Sequence, residues 1–244
     1  MLDVNQVLAT AVIPAYNEAH HIERVLAPLS RVPQLKQIIV VDDGSTDDTA
    51  VVVDAYRAKD ERVRLLRLER NRGKGGAVMA GIQASTTDVV VLLDADLINL
   101  RAAHVSALMG PVQQHRCAMT LGIFRNGRQR TNVSHRYFYF LSGQRCLRWS
   151  AFRHTAALRD ARWGIEMGLN LVARQQKLPV QQVPWEGVTH MMRLEKMSGP
   201  RKYWTYAEMW ADIVKISVSY SLKLWAANGR SPKWVRQFAR RPSN

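Results

Sequence analysis

A chain of 244 residues that is 47% apolar has the length and composition of one large globular domain or two small ones. Its formal charge of +15 directs it toward anionic partners: a nucleotide, a phosphorylated acceptor, an acidic lipid surface or nucleic acid. Two cysteines, Cys117 and Cys146, exclude a disulfide framework and show no metal-type spacing, no stretch approaches the roughly 20 apolar residues of a membrane span, and no basic-then-apolar leader opens the chain, so a reducing cytoplasmic compartment is expected.

Leu8 to Ile13 reads as a first strand, ended by Pro14. The polar loop Pro14-Ala15-Tyr16-Asn17-Glu18 follows, and then Ile22, Val25, Leu26 and Leu29 recur at helical spacing. Gln37 to Val41 is a second strand, running into Asp42-Asp43-Gly44-Ser45-Thr46-Asp47, which combines turn chemistry with a helix start. A helix is expected from Thr49 to Ala58 and a third strand from Val63 to Leu68.

Asn71-Arg72-Gly73-Lys74-Gly75-Gly76 precedes a small-residue helix expected over Ala77 to Ala84. Glycines before a helix let backbone amides approach an anion, and Lys74 adds a point charge. The spacing matches neither the P-loop nor the dinucleotide fingerprint, and a plain flexible turn is the alternative.

Val89-Val90-Val91-Leu92-Leu93 is an unbroken apolar run that ends in Asp94-Ala95-Asp96. Such a run reads as a strand buried on both faces. Residues two apart on a pleated strand share a face, which would align Asp94 and Asp96 where open α/β sheets bind ligands. Paired carboxylates beside a phosphate site suit a hard cation such as Mg²⁺ or Mn²⁺; a helix cap with a solvated neighbour is the plainer reading.

Arg101 to Gln113 suggests another helix and Ala118 to Phe124 another strand. The alternation so far implies a mainly parallel sheet between helices. From Arg125 to Tyr139 the chain is basic and aromatic, and Ser142-Gly143-Gln144-Arg145 reads as a polar break. Trp163-Gly164-Ile165-Glu166 opens a helix running to about Gln176, Val180 to Val183 is a late strand, and His190 follows. Over Tyr203 to Ala227, Trp204, Trp210, Ile213, Val214 and Trp225 lie mostly at helical spacing among Lys and Arg residues. This tail reads as an amphipathic helix for an acidic membrane surface, or else as a helix packed on the domain.

Four motifs in order, Ile13 to Glu18, Val41 to Asp47, Gly73-Lys74-Gly75 and Asp94-Ala95-Asp96, together resemble family 2 glycosyltransferases of the GT-A fold over roughly residues 8 to 190. The phrase Asp94 to Asn99 with Gly110-Pro111 is also similar to glucosyl-3-phosphoglycerate synthases. The resemblance implies a GT-A fold: a Rossmann-like α/β domain with a mixed, mainly parallel sheet over 1–200. Its nucleotide-binding half would span 1–115 and its acceptor half 116–200; the residue pattern of the tail, outside the resemblance, adds a C-terminal amphipathic helical extension over 201–244.

The resemblance further implies a hexosyltransferase using a nucleotide diphosphate sugar, UDP favoured over GDP, with Mg²⁺ or Mn²⁺. Pro14, Ala15, Tyr16 and Glu18 would line the nucleoside pocket, with Asp43 accepting from the base. Lys74 would reach the diphosphate; Asp94, with Ala95, would sit by the ribose or a metal-bound water. Asp96 would hold the metal, with His190 a second ligand or a diphosphate contact. Glu166 is the candidate acceptor-side base and Asp160 its reserve, though an acceptor that is already an anionic phosphate needs neither. Arg125, Arg128, Arg130, Gly143, Gln144 and Arg145 would meet such an acceptor, the alternative for the basic run being a solvated charged surface.

The expected acceptor is anionic or membrane-held, the alternative being a small phosphorylated acid. The enzyme would be cytoplasmic or peripheral on the inner face of the membrane, and a homodimer is left open. A nucleic-acid-binding protein would give Asp94 and Asp96 no role, so no nucleic-acid partner is expected. A nucleotidyltransferase would usually carry glycines straight after its first strand, where Pro14 to Glu18 has none.

Overall fold

The computed structural model describes residues 7–125, 142–152 and 164–190, together with the exposed helical residue Val218. Of the expected site residues, Arg128, Arg130 and Asp160 lie outside the described residues, as does the rest of the 201–244 tail.

The elements run β1 (Ala9–Ala15), α1 (Ile22–Leu29), β2 (Leu35–Asp42), α2 (Thr49–Arg57), β3 (Val63–Arg67), α3 (Gly73–Ala84), β4 (Val89–Leu92) and β5 (Leu97–Ile98). They continue with α4 (Ala102–Gln113), β6 (Met119–Arg125), β7 (Arg145–Arg148), α5 (Ile165–Gln175), β8 (Val180–Glu186) and β9 (Thr189–His190). Seven strands form one sheet in the order β3-β2-β1-β4-β7-β6-β8, and β5 pairs with β9 in a separate ribbon. All pairings in the large sheet are parallel except those of β7 with β4 and β6.

The pleat divides the apolar residues between two layers. Ala9, Ala11 and Ile13 of β1 pack with α1 and α4 through Val25, Leu26, Leu29, Val105 and Leu108. Val12 faces the other layer with Ile39, Val41, Ala77 and Val78, and α5 adds Leu169 and Val172 there. The small residues of α3 let it sit directly on the sheet: a Cβ added at Gly81 would overlap Val12 Cγ1 and lie 3.0 Å from Val41 Cγ2.

Three local expectations change. Pro14 does not end β1; it pairs with Val41 and Ala15 with Asp42, so the strand carries its motif inside its last two residues. The helix expected from Ala77 begins at Gly73, whose φ of +76° is the left-handed conformation glycine tolerates. Ser142 to Arg145 is not only a break, because Arg145 starts β7, which inserts antiparallel between β4 and β6.

Candidate active site

The chain turns outward in both directions from β1, to β2 on one side and β4 on the other, so β1 and β4 flank the topological switch point. Open α/β sheets bind their ligands beyond the C-terminal strand ends at such a point. Pro14 to Glu18, Asp43 and Asp94 to Asp96 all sit at those ends.

Two loops there are laced together. Asn17 N–H donates to Ser45 Oγ at 3.0 Å, Thr46 N–H to Asn17 Oδ1 at 2.9 Å, Glu18 N–H to Thr49 Oγ1 at 2.8 Å and Ala19 N–H to Asp47 Oδ2 at 3.1 Å. Burial works against charge on Asp47, but the Thr49 hydroxyl together with the Ala19 and Thr49 backbone N–H groups donates to it and holds its carboxyl below the usual range. Asp43 is buried and its Oδ1 accepts from Arg72 N–H at 2.7 Å, tying the second loop to the start of α3. Gly44, at φ +73°, lies against the backbone of Arg70 and Asn71, and an added Cβ would stand 3.0 Å from Asn71 N. Tyr16 stands 47% exposed at the rim, whereas Glu18 turns to His21 Nδ1 at 2.9 Å.

At the centre lies Lys74, on the first turn of α3. Its Nζ is 2.6 Å from Asp94 Oδ1 and 2.6 Å from Glu166 Oε1. Burial opposes the ammonium charge, but the two carboxylates outweigh it and hold Lys74 above its ordinary value. The same contest, with Lys74 the leading favourable partner and Gln144 and His190 contributing, holds Asp94 below its own. Arg145 lies beneath them, fully buried, donating from Nε to Ser142 O at 2.8 Å and from Nη1 to Asn170 Oδ1 at 2.7 Å. Burial pushes its guanidinium down to about 10 against the pull of Glu166 and Asp94, so it keeps its proton at neutral pH. Two cations and two carboxylates thus balance in one small pocket, whose walls include Pro14, Leu92, Gly143 and Ile165.

The structure gathers Pro14, Lys74, Asp94, Gly143, Arg145 and Glu166 from the expected set around one crevice. It alters the reasons and roles of others. β4 ends at Leu92, so the strand's two-residue period does not align Asp94 with Asp96; Asp94 follows the strand and Asp96 lies in a turn with the buried Ala95. Gln144 and Arg145 were expected to meet an acceptor, yet they are 1% and 0% exposed. Gln144 turns to Asp94, and Arg145 underlies the crevice with its guanidinium held by Ser142 O and Asn170. Arg125 stands exposed at the end of β6, where it pairs in register with Glu186.

His190 reaches the site by a route that spacing alone did not reveal. The β5–β9 ribbon pairs Leu97 with His190, placing the imidazole next in line to the Asp96 turn, and the Phe124 ring lies 5.7 Å away. Among the described residues no cluster of three or more His, Cys, Asp or Glu side chains could cage a metal ion. Asp96 offers a carboxylate, the ligand type that Mg²⁺ and Mn²⁺ take alongside substrate phosphate and water, and His190 would add an imidazole nitrogen from the neighbouring strand.

The model of the family described as glycosyl transferase family 2 matches residues 10–167. Over 101 residues the chain is 41% identical to a dolichyl-phosphate β-glucosyltransferase, ALG5C, of Trichomonas vaginalis, covering 38% of this chain and 30% of that protein. Over 95 residues it is 41% identical to an undecaprenyl-phosphate 4-deoxy-4-formamido-L-arabinose transferase of Pectobacterium carotovorum, covering 37% of this chain and 29% of that protein. These matched stretches span less than a third of either relative. A crystal structure of glucosyl-3-phosphoglycerate synthase from Mycobacterium tuberculosis, in complex with Mn²⁺, UDP and phosphoglyceric acid, superimposes with a TM-score of 0.67 at 23% identity, over 87% of this chain and 78% of that one. That likeness shows a shared fold. With the family match extending from β1 to the start of α5, the chain belongs to glycosyl transferase family 2.

Proposed function

We propose that this chain is a metal-dependent hexosyltransferase that moves a hexose from a nucleotide diphosphate sugar, UDP in preference to GDP, to an acceptor that carries its own phosphate or is held at a membrane. The observation that carries this reading is Lys74 bridging Asp94 and Glu166 at the switch point. Breaking a glycosyl–diphosphate bond leaves negative charge on the leaving oxygens. Lys74, on the first turn of α3 with the helix N-terminus behind it, is placed to neutralise that charge. Pro14, Ala15, Tyr16 and Glu18 would line the nucleoside pocket beside Asp43, and Asp94 would face the ribose. Asp96 and His190 would hold Mg²⁺ or Mn²⁺, which when bound supplies further charge neutralisation at the diphosphate.

The acceptor class follows from Glu166. This carboxylate is buried against Lys74 and near Arg145, so as a base it would have to give up a 2.6 Å ion pair. An acceptor phosphate is already ionised and asks for no such base. The two curated relatives are named for polyprenyl-phosphate acceptors, which supports the same choice. Likeness in fold to the mycobacterial synthase supports the second reading, transfer to a small phosphorylated acid. No helix among the described residues is long and apolar enough to cross a membrane; a membrane-held acceptor would be met from the surface, through the basic, aromatic 201–244 segment.

The test is Asp96→Ala in a transfer and donor-hydrolysis assay with UDP-glucose, titrated with Mn²⁺. The Mn²⁺-dependent turnover should disappear. Turnover that keeps its Mn²⁺ dependence in the variant ends the assignment.

A further inference from the structure

We propose that Gln144 is a positioning residue for Asp94, fixing the direction of its carboxylate toward the donor, and that it makes no contact with the acceptor. This rests on the donor role of Asp94 proposed above. The Gln144 amide meets Asp94 twice: Nε2 donates to Asp94 Oδ2 at 2.6 Å, and Oε1 accepts from Asp94 N–H at 3.1 Å. A side chain that donates and accepts at once is required, which an amide supplies and a carboxylate or an apolar chain does not. Asparagine has the same groups on a stem one carbon shorter.

Gln144 is itself held from behind. Gly122 N–H donates to Gln144 O at 2.8 Å, and Gln144 N–H to Ser142 Oγ at 3.3 Å, while Ser142 Oγ–H donates to Gly122 O at 2.7 Å. An added Cβ at Gly122 would lie 3.0 Å from Gln144 Cβ and 3.3 Å from Trp185 Cε2, so β6 and β8 close the space behind it. At 1% exposure Gln144 has no face left for a second ligand. Asp94 remains 24% exposed at its side chain, and is surrounded by Lys74 from α3, Glu166 from α5, Arg145 from β7 and His190 from β9. With Lys74 on Oδ1 and Gln144 on Oδ2, the carboxylate has one orientation. Gly143 completes the arrangement by leaving room: its added Cβ would lie 2.5 Å and 2.7 Å from the two Asp94 oxygens.

Two measurements on the full chain test this. The first is a thermal double-mutant cycle with Gln144→Glu, Asp94→Asn and both together. The single Gln144→Glu change sets carboxylate against carboxylate and lowers Tm; the double variant exchanges donor and acceptor and should be at least as stable as that single variant. A double variant whose loss is the sum of the two single losses overturns the contact. The second is Gln144→Met in Mn²⁺-dependent hydrolysis of UDP-glucose with no acceptor present, where kcat should fall at least tenfold with the donor KM within twofold. Wild-type hydrolysis in the variant, with a defect appearing only on adding a polyprenyl phosphate, would return Gln144 to the acceptor and overturn the proposal. If Gln144→Met fails to fold, the thermal cycle decides. A wild-type protein with no turnover of UDP-glucose defeats the function proposed above, and the cycle then decides the Gln144–Asp94 contact alone.

Discussion

Replacing Lys74 by methionine removes the cation from between Asp94 and Glu166 while keeping a side chain of similar length. Removing one partner of a fully buried ion pair costs about 3–5 kcal/mol. Here the side chains of Lys74, Asp94 and Glu166 are 22%, 24% and 10% exposed, so water screens part of the loss and about 2–4 kcal/mol is expected. For a chain of this size each kcal/mol moves Tm by roughly 2–4 °C, giving a fall of roughly 5–15 °C at pH 7. The sign with pH follows from two shifts. Lys74 is held above its ordinary value, so its contribution is intact below about 10.5 and fades only as pH rises through the folded value. Asp94 is held below 3.8, so its contribution is intact above that value and fades as pH falls through the folded one. Calorimetric melts of both proteins from pH 3.5 to 9 should therefore show a constant deficit from about pH 5 upward that narrows in acid. A deficit equal at pH 3.5 and pH 7 would refute the charge argument and leave only packing.

Gly143→Ala should reduce donor turnover at least tenfold with a smaller fall in Tm than Lys74→Met, because its Cβ would stand 2.8 Å from Lys74 Nζ and closer still to Asp94, both of them movable side-chain ends. Equal kcat in the variant would show that the Lys74–Asp94 geometry does not govern the reaction. Gly81→Ala places a methyl into Val12 with no flexible end to yield; overpacking of about 1–3 kcal/mol, offset in part by about 1 kcal/mol of helix propensity, should lower Tm by a few degrees. A stabilised variant would show that α3 does not sit as close to β1 as described. Deleting residues 203–244 should reduce co-sedimentation with acidic liposomes in a protein whose far-ultraviolet spectrum is retained; equal sedimentation by the truncated, folded protein would remove the membrane role of the tail.

Apolar runs made the parallel strands legible, because a strand buried on both faces needs no alternation and Val89 to Leu93 shows none. The motif order singled out Lys74 and Glu166 as candidates, and the structure sets them in one crevice although they are 92 positions apart, because α3 and α5 pack on one sheet face and bring them to 2.6 Å. What failed was inference from local pattern where pairing decides. Pro14 stays in β1 because the sheet keeps its neighbours in register, and Arg145 to Arg148 becomes a strand because β4 and β6 both offer it an edge. Its sequence, Arg-Cys-Leu-Arg, carries too little β preference to show this alone. Gln144 and Arg145 looked like surface chemistry because polar residues usually are; their burial is tolerated because Asp94, Asn170 and Ser142 O satisfy them. The two-residue strands β5 and β9 were too short for any periodicity, so the delivery of His190 beside the Asp96 turn had no local signal.

The antiparallel strand wedged between β4 and β6 has a consequence for biosynthesis. Val89 to Leu92 bonds to β1 on one side and to Arg145–Arg148 on the other. A nascent chain halted near residue 115 would therefore hold an assembled but open-sided slab, its most apolar strand lacking its outer neighbour. Cutting the gene between the expected nucleotide-binding and acceptor halves should yield fragments that clump when made singly and regain order when made together. The two halves share one sheet, and the crevice that unites Lys74, Asp94 and Glu166 needs elements from both.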